Sequence, residues 1–454
     1  MLDKKIKRFI YSPSVPIGKA VSDLYKKAIT ICLICRPNGE LLGVLTLSDI
    51  KQALLKGVDQ KAPISSIMNT SFVYASKSTP LSGLKKLAKK KTSFGSGIIA
   101  KVPVLDKRRR LVALFSIEQK ETPLSTVLVT GGAGYIGSHL SRRLLKEGYR
   151  VIVLDKLAFG DGGIRELIKH KNFILVKGDV GDIRMLMKVV PEADYVIHLA
   201  GIVGDPAAAL NPLQTMEENH FSTKLLVDVC QYYQVSRFVF ASSCSVYGVS
   251  ASLLNEKSRL NPVSLYAQSK LYAERELLRN ANDHFHPVIL RFGTMYGLSH
   301  RMRFDLVVNI MTAHAFTKKR VTVDGGEQWR PLLHVDDAAR ACLAMIEAPL
   351  KKVRGEIFNV GTTEDNFTIA SIAKLIAGKF KGVKIEWLNN SKDRRDYRIS
   401  FNKIQKLIGF KTAHTVSGGV KEIADAMRSG KFKDWTDKKY NNYLTLRNIL
   451  ETGV

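Results

Sequence analysis

Tyr266 and Lys270 stand four residues apart in SLYAQSKLYAERELL, a spacing that puts both side chains on one face of a helix. A lysine ammonium beside a phenol, together with the positive charge of a bound oxidised cofactor ring, lowers its pKa, so the tyrosine can serve as a base near neutral pH without a histidine. Tyr-x-x-x-Lys alone is a common pattern, and its meaning depends on its surroundings. Upstream lies ASSCSVYG, residues 241–248, a strand end with three serines and a cysteine. Which of Ser243, Cys244 and Ser245 takes part decides which reaction is possible.

The elements that must position these residues start earlier. STVLVTGGAGYIGSHLSRRLLKEGYRVIVLDK reads as an apolar strand, a glycine-rich turn, an amphipathic helix and a second strand. Gly131, Gly132, Gly134 and Gly137 fall where the chain turns tightly, approaches a pyrophosphate and packs helix against strand. With Tyr135 and Ile136 on the same turn, the helix N-terminus offers free N–H groups to phosphates. Asp155 closes the second strand, where a carboxylate accepts both adenosine ribose hydroxyls and repels a 2′-phosphate. That favours NAD over NADP, although Lys156 beside it blurs the preference. Asp179 and Val180 are expected to flank adenine, and Ala200 to line the cofactor. Three further strands, in FILVKGDV, DYVIHLAG and RFVFASS, make a doubly wound parallel sheet the economical reading.

Together with LRFGTMYG, WRPLLHVDDAARA and IFNVGT, these motifs resemble the extended short-chain dehydrogenase/reductase family, specifically its NAD-dependent nucleotide-sugar epimerases and dehydratases. The resemblance covers residues 126 to roughly 425. It implies a Rossmann core, a smaller C-terminal substrate-binding part and a catalytic set of Ser243, Tyr266 and Lys270. For the sugar nucleotide it implies Arg330 and Arg395 on the diphosphate, with Asn219, Asn309 and Thr294 as further contacts. The segment RMRFDLVVN is expected to close over the nucleotide. Thr294 stands where galactose-type epimerases carry Asn, which leaves the sugar open. The dehydratases of the family place an acid after the catalytic hydroxyl. Here Cys244 and Ser245 fill those positions, so dehydration is disfavoured, and Cys244 is read as a buried filler. His198 and His334 are read as structural.

The 454 residues exceed one ordinary core, and 45% apolar with 24% charged content is a soluble globular composition. No apolar run approaches a membrane span, and the N-terminus lacks a signal-peptide core, so a cytoplasmic protein is expected. Cys32 and Cys35 sit inside the apolar run AITICLIC and read as strand residues rather than a metal or redox pair; no metal is expected. The net charge of +29 is uneven: residues 1–121 carry about +15 and the rest about +14. Solvated lysine faces such as KKLAKKK account for it, and no specific nucleic-acid partner is expected.

Residues 1–121 contain a duplication. GELLGVLTLSDIKQALLKG and RRLVALFSIEQK share a strand, a hydroxyl-bearing turn and a preceding strand. With PISSIMN, this resembles a pair of CBS domains. The resemblance implies an adenine nucleotide at Thr46 and Asp49, or alternatively a degenerate pair that only dimerises. The second copy has Ser116 and Gln119 instead. ETPLS, residues 121–125, reads as a linker to the catalytic domain, residues 126–454.

The leading reading is therefore an isomerase of carbohydrate biosynthesis: a homodimeric NAD-dependent epimerase of a nucleoside-diphosphate sugar, of the 4-epimerase type. A nucleotide-sugar dehydrogenase, reductase or dehydratase is the alternative, and a passive NAD-binding sensor a third. Net consumption of NAD(H) separates epimerase from reductase, and intact Ser243, Tyr266 and Lys270 argue against the sensor.

Overall fold

A computed structural model describes the chain except residues 1–3, 27–28, 30, 47–48, 51, 54–56, 81–82, 85–98, 119–124, 236, 283–284, 389–394 and 453–454. The chain forms two compact units, residues 1–124 and 125–454.

The larger unit is built on seven strands: β1 (Thr126–Thr130), β2 (Arg150–Asp155), β3 (Phe173–Lys177), β4 (Tyr195–His198), β5 (Arg237–Ser243), β6 (His286–Phe292) and β7 (Ile357–Val360). Their spatial order is β7-β6-β5-β4-β1-β2-β3 and every pairing is parallel. β1 and β6 are buried at every residue, because helices cover both faces of the sheet. Alternation assigns the faces. Val127 and Val129 pack with Leu140 and Leu144 of α1 (Gly137–Lys146) and with Ala338 and Ala341 of α4 (Val335–Glu347). Leu128 faces the other way, in one cluster with Leu226 of α2 (Ser222–Tyr232) and Leu277 of α3 (Leu265–Arg279). The connections run outward from β1 on one side and from β4 on the other. The reversal between these two strands opens a crevice at their C-terminal ends, the usual ligand position in such sheets.

The remaining part of this unit stands on short strands, Thr294–Tyr296 and Trp329–His334 parallel, and Asn366–Thr368 antiparallel to the latter. One strand of this part comes from the middle of the chain: Val249–Leu254, which follows β5, pairs with Asp396–Ile399.

In the smaller unit the duplication is visible in the backbone. Ile10–Tyr11 runs parallel to Cys32–Cys35, which is antiparallel to Leu41–Leu45. Ala75–Ser76, Ile99–Leu105 and Leu111–Glu118 repeat that order and sense. Both hairpins slip register just before the turn, between Ile34 and Cys35 and between Val104 and Leu105. The two hairpin ends meet in a reciprocal pair of bonds, Leu41 N to Arg109 O (3.1 Å) and Leu111 N to Gly39 O (3.0 Å). Cys32 and Cys35 are buried in their strand, and burial pushes the Cys35 thiol up to about 11. No described helix is long and apolar enough to cross a membrane.

Candidate functional site

Helix α3 starts at Ser264, whose hydroxyl accepts from Ala267 N (3.2 Å) and donates to Asp205 (2.7 Å). This cap sets the first turn, and Tyr266, Lys270 and Glu274 follow at four-residue intervals along one stripe. The Tyr266 phenol and the Ser243 side chain, at the end of β5, line the same pocket, and the Ser243 hydroxyl acts to lower the phenol's pKa. Ser245 buttresses that serine, donating to Ser243 Oγ from its hydroxyl (2.9 Å) and its N–H (3.2 Å). The three predicted catalytic residues therefore share one wall of a single pocket.

Their electrostatics bear on the need for a second positive charge beside Lys270. Burial, reinforced by Asp205, pushes the Tyr266 phenol up to about 12; the Ser243 hydroxyl, Arg303 and Arg395 oppose it. Burial also pushes Lys270 down to about 8, against the pull of Glu274, and its Nζ lies 4.9 Å from the Phe240 ring centroid. A lysine four residues away thus does not by itself bring the phenol to neutral pH. Desolvation outweighs it, and the site needs a further positive charge from a bound group.

The cofactor side is made by the glycine turn. Gly131 has φ +71°, and a Cβ there would lie 2.7 Å from Ala200 N; one on Gly137 would lie 2.4 Å from Gly131 O. A Cβ on Gly134 would meet only Gly131 O, at 3.1 Å, so the turn's other side stays open. No side chain caps the start of α1; the Ser138 and His139 N–H groups bond back to Gly134 O and Ile136 O (3.0 and 3.1 Å), so the N–H groups just before them, at Tyr135, Ile136 and Gly137, are the ones that face a ligand. Tyr135 and Ile136 line the pocket, but the Tyr135 hydroxyl turns away to donate to Gly297 O (2.5 Å). Asp155 accepts Ala133 N (2.9 Å) on one oxygen and Leu157 N (2.8 Å) on the other, and each oxygen retains a lone pair. Lys156 is held by Asp179 and Glu218, both at 3.0 Å, so the cation that would welcome a 2′-phosphate is already neutralised. Val180 and Ala200 complete this wall. The open turn, the uncapped helix and the preset carboxylate fit a dinucleotide without a 2′-phosphate.

On the opposite side, Thr294 and Arg395 line the pocket, and Arg395 pairs with Asp205 (3.1 Å). Three other expected contacts are spent elsewhere. Arg330 donates to Trp329 O (2.7 Å) and Arg395 O (2.6 Å) from behind the lining, so it fixes the backbone of Arg395. Asn309 donates to Tyr135 Oη and Arg303 O and accepts Gly297 N, which occupies both of its N–H groups and one lone pair. Asn219 sits in a wide π-type turn, Glu217–Phe221, where it grips both backbone groups of Ile202 and donates to Ser269.

The residues missed in sequence are Arg301, Arg303, Asp205 and Asn442. RMRFDLVVN does border the pocket, but through its arginines rather than Asn309. Arg303 is buried against Asp305 in a two-pronged pair (3.0 and 2.8 Å). Two arginines one residue apart after the Gly297 turn were the available signal. Asn442 opens α5 (Asn442–Thr452), reaches the pocket from the far end of the chain and has no local motif.

Cys244 is wholly buried beside Val246 and Tyr397, and burial raises its thiol far above its ordinary range. His198 is locked between Thr130 (2.6 Å) and Thr223 (2.8 Å), and burial pushes its pKa down to about 3. His334 caps α4 and stacks on His414, with ring centroids 4.0 Å apart. In the smaller unit, Thr46 N and Oγ1 both donate to Asp49 (2.8 and 2.7 Å), and Asp49 N donates to Thr46 Oγ1 (3.3 Å). That is a reciprocal helix cap. Gln119 lies outside the described residues.

Residues 127–361 match the model of the NAD-dependent epimerase/dehydratase family. Among curated proteins, the chain is 29% identical to UDP-glucose 4-epimerase of Lactobacillus helveticus, spanning 56% of this chain and 82% of that one. It is 28% identical to UDP-glucuronate 4-epimerase 4 of Arabidopsis thaliana, spanning 66% and 74%. Among solved structures, it resembles UDP-glucuronic acid 4-epimerase from Bacillus cereus in complex with UDP-glucuronic acid and NAD. The TM-score is 0.61 at 26% identity, over 67% of this chain and 99% of that one.

Proposed function

The chain belongs to the NAD-dependent epimerase/dehydratase family, and from that premise we propose that it inverts one stereocentre of a nucleoside-diphosphate sugar. The observation that carries this reading is the convergence of Ser243, Tyr266 and Lys270 on the one pocket that the Gly131–Gly137 turn also lines. NAD, when bound, supplies the hydride acceptor and donor and the positive charge that the Tyr266 phenol needs. Tyr266 takes the proton of one ring hydroxyl, at C4 in this reading, and later returns it. Ser243 hydrogen-bonds the same hydroxyl, and Lys270 keeps a cation beside the developing phenolate. The keto-sugar turns about its diphosphate, anchored at Arg395, and is reduced on its other face. Relatives of epimerase type support this reading, as does the lack of an acid at Cys244 and Ser245, where elimination of water would need one.

The test is incubation of the purified protein, without added cofactor, with UDP-, GDP-, CDP- and dTDP-sugars, followed by NMR. The expected result is a new stereoisomer at equilibrium with no net NADH. Turnover that starts only when NAD(H) is supplied, and consumes it stoichiometrically, would mean a dehydrogenase or reductase instead.

For the smaller unit we propose a CBS pair that responds to an adenine nucleotide. The repeated strand order and mirrored hairpin slips support the duplication. A ligand that binds only the folded state raises its melting temperature. AMP or ATP is therefore expected to raise the melting transition of the full chain or change its rate, and no response to either would sink this assignment.

A further inference from the structure

Arg301 is only 6% exposed, and its Nε and Nη2 are buried with no hydrogen-bond partner among the described residues. A guanidinium left this way is costly, and a buried cation is stable only when an anion meets it. The nearest ionic neighbours do not supply one directly. Arg303 repels it, while Asp305 and Asp155 attract without bonding to it.

The position identifies the missing anion. The guanidinium lies over the Phe159 ring, 4.0 Å from its centroid, which holds its plane. A Cβ built on Gly163 would lie 3.0 Å from both Arg301 Cβ and Ala133 O and 3.3 Å from Ser138 Cβ. Arg301 therefore stands beside the uncapped start of α1. A dinucleotide with its adenosine ribose at Asp155 and its nicotinamide near Tyr266 and Lys270 must pass its pyrophosphate over that helix start. The unpartnered Nε/Nη2 edge is the same edge with which Arg143, Arg291 and Arg303 each grip a carboxylate. It suits two phosphate oxygens equally well.

We propose that Arg301 binds the pyrophosphate of NAD and is a main reason the cofactor stays bound between turnovers. This rests on the reading that the pocket holds NAD. Arg301 comes from the loop after Gly297, outside the glycine turn, so it clamps the cofactor from the substrate side.

The test uses the full chain stripped of nucleotide, as wild type, R301M and R301K, titrated calorimetrically with NAD, ADP-ribose, adenosine and UDP. R301M is expected to weaken NAD and ADP-ribose by about 30-fold or more, the usual penalty for removing one partner of a buried charge pair. Adenosine, which has no phosphate, should bind within about twofold of wild type and so also reports that R301M is folded. R301K should recover only part of the loss, because lysine offers a point charge without the two-pronged edge. Less NAD should also be released from freshly purified R301M on denaturation. Unchanged NAD binding in R301M overturns the proposal, as does an equal loss for adenosine. A loss confined to UDP overturns it too, because the arginine would then serve the sugar nucleotide. If wild type itself binds no NAD, the cofactor reading falls first, and this inference falls with it.

Discussion

Replacing Tyr266 with phenylalanine is expected to lower kcat by about 10³-fold, within the range for loss of a positioned proton-transfer group. NAD content and melting temperature should stay near wild type. The ring packs against the buried cluster of Ile202, Ala207 and Ala208, a contact that phenylalanine keeps, and Ser243 retains its bonds from Ser245. The readout is steady-state turnover of the sugar identified by NMR, with bound NAD measured on the same sample. A variant that keeps a tenth or more of the activity would remove Tyr266 from the proton-transfer role. KM should change little, since the phenol acts on the hydroxyl that reacts and the diphosphate is anchored elsewhere.

Glu274→Gln is expected to destabilise the larger unit by about 3–5 kcal/mol, the usual result of stripping the counter-charge from a buried ion. Glu274 and Arg291 are both 2% exposed and are joined by two bonds of 2.9 and 2.6 Å. Burial alone would lower the guanidinium pKa, and Glu274 more than reverses that. Around this pair, Ser242 donates to Glu274, Arg291 donates to Tyr247 (2.9 Å), and Tyr247 donates to Asn359 (2.8 Å). The chain of bonds runs from α3 across β5 and β6 to β7. Urea unfolding of the NAD-free protein measures the loss. A double replacement, Glu274→Met with Arg291→Met, should lose less than Glu274→Gln alone, because no buried charge is then left unpaired. If the single variant costs under about 1 kcal/mol, the pair is better solvated than its burial indicates.

Residues that act through local geometry were legible in the sequence. The glycine turn, Asp155 and the Tyr266–Lys270 stripe each depend on a few consecutive residues, and the structure brings them to one crevice. Five of the seven parallel strands, β1 to β5, followed from apolar runs alternating with helices, while β6 and β7 were marked only by the family motifs LRFGTMYG and IFNVGT. Contacts made across the chain were not legible. Asn219 and Asn309 have the right residue type in the right segment, but their amides are engaged by the backbone of Ile202 and by Gly297, Arg303 and the distant Tyr135 hydroxyl, none of which the residue type reports. Arg330 stands behind Arg395 because the bond between them spans 65 residues. The Tyr266 phenol lies high because burial, which no spacing rule reports, dominates its surroundings.

The seam between the two hairpins of the smaller unit is symmetric. Each repeat donates one backbone N–H to its twin and accepts one in return, around the Glu40–Arg110 bridge. A solitary repeat would expose Leu41 N and Gly39 O as an unmatched edge, and another copy of itself carries the matching pair. That is the self-complementarity of a two-fold dimer. With both repeats in one chain the two sides of such a seam need not match, and Ser116 and Gln119, standing where the first copy has Thr46 and Asp49, are a difference that two identical subunits cannot carry.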